Sequence, residues 1–195
     1  MVVKENFKIN LKYSVIIAFV IIFFIPFIYS TANLNEFKVA QCMEKLVVLI
    51  GIPLFVPVMK PEQELSIREI VLIKSFPYRI IILFRIVMAV IFSTIFIYVF
   101  ELYILYKGCS FPFYAYLLRT IIATMLIGGF GILASILSGN TLIGYLVAFL
   151  YFFLSQSNVP GLEMTIVSHG LSIRYILAIA LLYLVILVRC ESGKI

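Results

Sequence analysis

Six apolar runs follow one another with only short polar interruptions, at Tyr13–Tyr29, Leu46–Met59, Ile80–Tyr106, Thr120–Leu137, Thr141–Leu154 and Tyr175–Val188, each bounded by charge, Gly or Pro. A bilayer crossing takes about 20 apolar residues. Flanking residues such as Met43–Lys45 and Ser155–Gln156 complete the shorter runs, giving expected spans near 13–29, 44–59, 80–106, 120–137, 141–156 and 175–189. Lipid offers the backbone no hydrogen bonds, so these runs must be helices. The third exceeds the hydrocarbon thickness and is expected to tilt.

Composition agrees. The 195 residues are 64% hydrophobic and 12% charged, with a mean hydropathy of +1.19, whereas soluble domains carry roughly 25% charged residues. Six spans with short connections use up the chain, so the reading is all-α, one polytopic membrane domain over residues 1–195. No internal repeat interrupts it.

The net charge of +6 comes from clusters of Lys and Arg at the ends of apolar runs, which excludes a nucleic-acid partner and marks topology. With the N-terminus cytoplasmic, Lys4, Lys8, Lys12, Lys60, Arg68, Lys74, Arg79, Arg85, Arg189 and Lys194 fall inside. Lys38, Lys45, Lys107, Arg119 and Arg174 fall outside, ten against five. Both termini are therefore expected inside, which six crossings permit. Ser30-Thr31-Ala32 after the first run offers a signal-peptide cleavage site, but the run is long for that role. Cys42, Cys109 and Cys190 form no C-x-x-C pair. They are expected as free thiols, with a Cys42–Cys109 bridge the lesser alternative.

The most charged stretch, residues 60–79, joins the second and third spans. Ser66 and Glu69 have capping-box spacing and Pro77 disfavours helix through Phe76, so a short helix over 67–75 is expected, with Ile67, Ile70, Val71 and Lys74 on one face. Such a helix lies on headgroups or docks into a partner's groove. Leu49-Ile50-Gly51-Ile52-Pro53-Leu54-Phe55-Val56-Pro57, Pro61-Glu62-Gln63-Glu64, Ile67-Arg68-Glu69-Ile70, Lys74-Ser75 and Arg85 together resemble the type-2 ATP-binding-cassette permease family. The likeness covers residues 44–90.

That resemblance implies the membrane subunit of a bacterial plasma-membrane exporter, with six helices, both ends cytoplasmic and a coupling helix in the first cytoplasmic loop. Glu62, Glu64, Arg68, Glu69 and Lys74 would then contact cytosolic ABC ATPase subunits, and a second permease subunit, identical or related, would complete the pathway. The cargo expected is an amphipathic compound or peptide. Longer members carry a large domain between the first two spans, where this chain has only Thr31–Glu44. No G-x-x-x-x-G-K-[ST] is present, because Ser192-Gly193-Lys194 lacks the upstream glycine, so ATP hydrolysis would belong to the partner.

Thr124, Gly128, Gly131, Ser135 and Ser138 recur at four- and three-residue steps. They form a small-residue strip suited to helix packing, or to a subunit interface or cargo path. Arg85 can snorkel to the interface or support the coupling helix. Glu101 is either an interface residue or a partner of Lys107 or Arg119. The Gln156–Arg174 segment, with Asn158-Val159-Pro160-Gly161 and the single His169, is a surface loop or a re-entrant gate.

With one His and no Asp in the chain, metalloprotease and phosphoalcohol-transferase chemistry lack their ligands. Gln63-Glu64-Leu65-Ser66-Ile67-Arg68 matches only part of the E-E-x-x-x-R motif of CAAX-type membrane proteases. No catalytic, cofactor or metal site is expected. The alternative to a permease is a non-transporting membrane scaffold or immunity protein that binds a peptide or partner subunit. For topology, a cysteine introduced within residues 60–79 is expected to resist a membrane-impermeant thiol reagent in intact cells and to react after permeabilisation. Labelling in intact cells would reverse the orientation.

Overall fold

The computed structural model describes residues 2–29, 34–60, 78–156 and Tyr183. Among them every regular element is helical. The order is α1 (Val2–Ile28), α2 (Glu36–Lys45), a 3-10 turn (Val47–Ile50), α3 (Gly51–Phe55), a second 3-10 turn (Val56–Met59), α4 (Tyr78–Tyr106), α5 (Phe113–Ser138) and α6 (Thr141–Gln156). Glu36–Met59, Ile82–Tyr106 and Phe113–Ser138 are long and apolar enough to cross a membrane, and Lys12–Ile28 and Thr141–Gln156 are shorter apolar helices. The protein is accordingly membrane-embedded. The sixth apolar run, apart from Tyr183, and the 61–77 loop lie outside the described residues.

Helix begins earlier than the apolar runs do. In the second span it starts at Glu36, ten residues before the first residue of the run at Leu46. Val39, Ala40, Cys42 and Met43 form a buried face, and a helix needs only one apolar face to dock. Similarly, α5 starts at Phe113, directly after Pro112, because proline is well tolerated at a helix start.

The second span is broken along its length. Pro53, Pro57 and Pro61 recur every four residues, and each removes an amide donor from the i→i−4 ladder. The α-helical piece Gly51–Phe55 is only five residues long and lies between two four-residue 3-10 turns. Of the three described helices long enough to cross a membrane, this one is the most enclosed. In its most apolar stretch 72% is buried, against 61% for α5 and 33% for α4.

The α5–α6 hairpin turns on two residues. Gly139 takes the left-handed conformation at φ 66°, open to glycine at little cost. Asn140 follows, and its Oδ1 accepts from the Leu142 amide at 2.9 Å, capping α6. Ser138 closes the other side, donating to the Ala134 carbonyl at 2.6 Å.

Glycines let α5 approach both neighbours closely. A Cβ on Gly128 would stand 2.5–2.7 Å from Cγ, Cβ and Cδ2 of Phe55, distances no real contact tolerates. A Cβ on Gly51 would stand 2.6 Å from the Thr124 carbonyl oxygen. Since the obstacle at Gly128 is the root of a buried aromatic side chain rather than its tip, Gly128→Ala is expected to destabilise the fold by about 1–3 kcal/mol. Thermal unfolding in detergent measures this, and adding Phe55→Leu is expected to recover part of the loss.

Candidate functional site

The candidate site is the contact of the broken span with α5 and α6, together with the ionisable residues buried around it. Thr124, Gly128, Gly131 and Ser135 are all buried, whereas Ser138 is exposed in the hairpin turn. Thr124 packs on Gly51 and Gly128 on Phe55, so these two strip residues receive α3. Gly131 sits where three segments meet. A Cβ there would lie 2.5 Å from Val56 Cγ2, 3.1 Å from Ala148 Cβ and 3.3 Å from the Gly144 carbonyl oxygen. Ser135 faces Gly144, whose own Cβ would lie 2.9 Å from Ser135 Cβ. The strip thus faces neighbours within the chain.

Its hydroxyls are satisfied locally. Thr124 donates to the Thr120 carbonyl at 2.7 Å and Thr120 to the Tyr116 carbonyl at 2.8 Å. Back-bonding of this kind hides a hydroxyl inside its own helix and tends to bend it. Gly51, Gly144 and Ala148, the facing half of the contact, are not prominent in the sequence. Gly144 and Ala148 do have small-x-x-x-small spacing. Gly51 carries no pattern of its own, because its partner lies 73 positions away at Thr124.

Arg85 is buried in the first part of α4, and its Nη1 donates to the Val58 carbonyl at 3.1 Å. Proline explains the pairing. In a 3-10 turn the Val58 carbonyl would accept from residue 61, and Pro61 has no amide hydrogen. The guanidinium supplies the missing donor and fastens the end of the second span to the start of α4. Arg85 is thus turned into the protein to join these two helices rather than snorkelling. The sequence signal was the proline spacing read together with an arginine inside a span.

Glu101 lies on the buried side of α4 in line with Ser93 and Ile97, all at 0% exposure. Both of its carboxyl oxygens lack a hydrogen-bond partner among the described residues. The expected pairing with Lys107 or Arg119 is not formed. Lys107 instead places its Nζ 5.6 Å from the Tyr103 ring centroid. A buried carboxyl without a partner is costly in an apolar interior, and ionisable groups inside spans are markers of function. Glu44 has one such unpartnered oxygen, Oε1, while its backbone carbonyl accepts from Gln156 Nε2 at 3.0 Å. Cys42 and Cys109 are both buried free thiols, and Cys109 Sγ accepts from the Leu34 amide at 3.2 Å.

Glu62, Glu64, Arg68, Glu69 and Lys74 lie outside the described residues, as does His169. No cluster of His, Cys, Asp or Glu able to hold a metal ion occurs among the described residues. No protein-family model matches the chain, and neither does any curated protein or solved structure compared with it.

The buried charges give opposite expectations. Arg85→Met strands the Val58 carbonyl and is expected to lower stability by about 1–3 kcal/mol. Glu101→Leu removes a polar group that no described residue satisfies and is expected to raise the unfolding temperature. Paired thermal unfolding of the two variants in one detergent checks both signs.

Proposed function

We propose that this chain is the membrane-spanning permease subunit of an ATP-binding-cassette exporter. In this reading it has six spans with both ends in the cytosol and sits in a bacterial plasma membrane beside a second permease subunit. The carrying observation is the broken second span. It is the most enclosed of the described spans, it is interrupted by 3-10 turns, and it runs directly into the 61–77 segment that the family resemblance assigns to ATPase coupling.

A force applied to that segment has a short path inward. Arg85 ties the end of the second span to the start of α4 through the Val58 carbonyl. From Val56 and Phe55 the contact continues to Gly131 and Gly128 of α5 without an intervening flexible side chain. Close-packed elements of this kind move as bodies rather than deforming. A discontinuous helix has fewer ladder bonds to break at its joints, and transporters place such helices at their cargo sites. Glu101, buried and unpartnered on α4, would be the polar feature of the path, suited to a cargo with an amine or amide group.

ATP hydrolysis would reside in the cytosolic partner, with Glu62, Glu64, Arg68, Glu69 and Lys74 forming the contact. Reversing charge at Glu64, Arg68 and Glu69 together is expected to abolish copurification of the ATPase while leaving membrane insertion and thermal stability unchanged. Undiminished copurification would remove the coupling role. A wild-type chain that captures a peptide but no ATPase would favour the scaffold or immunity reading.

A further inference from the structure

At the end of the bundle opposite Lys60, the starts of α2 and α5 flank an open cavity of about 520 Å³, within the roughly 300–1,000 Å³ of small-molecule sites. Asn35, Glu36 and Phe37 line it from α2, and Pro112, Tyr116 and Arg119 from α5. It takes no part in the ATPase-coupled movement of the second span.

The lining carries opposite charges, Glu36 and Arg119. The Tyr116 hydroxyl donates to Glu36 Oε1 at 3.2 Å, which orients the carboxylate and leaves Oε2 without a partner among the described residues. Arg119 lies within electrostatic reach of Tyr116 and Glu44 but has no hydrogen-bond or ion-pair partner among the described residues. Asn35 makes no side-chain cap to α2, so its amide also remains available. A half-buried guanidinium without a partner calls for an anion, and its planar fork suits phosphate oxygens. The carboxylate at the rim calls for a cation.

The depth of the cavity narrows the ligand further. Phe37, Tyr106 and Tyr114 stand exposed at this same end of the helices, at 59%, 87% and 80%. Tyrosines gather at headgroup level. A group carrying both a phosphate and an amine, presented at that level, matches the cavity in charge, order and position. We propose that the cavity between the starts of α2 and α5 binds a phosphoethanolamine group, with its phosphate on Arg119 and its ammonium on Glu36. The group can come from phosphatidylethanolamine in the bilayer or from a soluble zwitterion.

The test uses the full chain in nanodiscs containing equal phosphatidylethanolamine and phosphatidylglycerol, with bound lipid counted by native mass spectrometry. Wild type is expected to retain phosphatidylethanolamine over phosphatidylglycerol by about tenfold, and Arg119→Gln to lose that retention. Glu36→Gln sits at an exposed position and threatens the fold least. It is expected to keep lipid binding but lose the preference, because phosphatidylglycerol no longer meets a carboxylate. In a parallel arm, soluble O-phosphoethanolamine is titrated into the detergent-purified protein. Binding there without lipid preference assigns the site to a soluble zwitterion. Equal retention of the two lipids in wild type, with no binding of O-phosphoethanolamine, overturns the proposal. So does a preference that survives in Glu36→Gln.

Discussion

The structure depends on how closely the backbone of α5 approaches the broken second span. In lipid, water expulsion does not hold helices together, so contact area and the absence of gaps must. Gly128 accepts the ring of Phe55 and Gly51 accepts Thr124, while Gly131 admits Val56 from one side and α6 from the other. Removing side chains at these points places three segments within van der Waals contact. The remaining helices arrange themselves around that contact, with α4 and α1 presenting far more of their surface outward. Phe19, Phe23, Phe24 and Phe27 of α1 are all exposed apolar side chains, as a lipid-facing helix requires.

Such packing lets the second span be irregular. Prolines at 53, 57 and 61 leave carbonyls without their usual donors, a defect that an isolated helix in hydrocarbon could not bear. Here the segment is enclosed, and Arg85 repairs the carbonyl at its end. A charge inside a span is costly by roughly 2.5–3.5 kcal/mol on insertion scales, but Arg85 offsets part of that cost by making a bond the backbone cannot make for itself. Glu101 has no such compensation among the described residues. Residues that lower stability without structural return concentrate where function requires them.

The helical, membrane-embedded character was legible because hydropathy at span length leaves no other arrangement of the backbone. The small-residue strip on α5 was legible as a periodicity, and the break between the fourth and fifth runs, after Leu137 and before Thr141, falls at the turn the structure shows. The start of α2 was not legible from hydropathy. Glu36, Lys38, Gln41, Glu44 and Lys45 mask a four-residue buried face among polar neighbours, and a window average reads such a segment as loop. The pairing proposed for Glu101 failed because sequence proximity to Lys107 says nothing about direction around the helix. Lys107 lies past the end of α4 beside Tyr103, while Glu101 faces inward.

What the chain determined alone was its solvent and its elements, since hydropathy, proline and glycine act through the bilayer and the local backbone. What only the tertiary structure decided was which residues meet. Gly51 with Thr124, Arg85 with Val58, and Glu36 with Tyr116 are separated by tens of positions, and nothing local in the chain links them. Their pairing depends on the angle and depth at which helices dock. Those in turn follow from the summed fit of many side chains, a quantity with no signature at any single position.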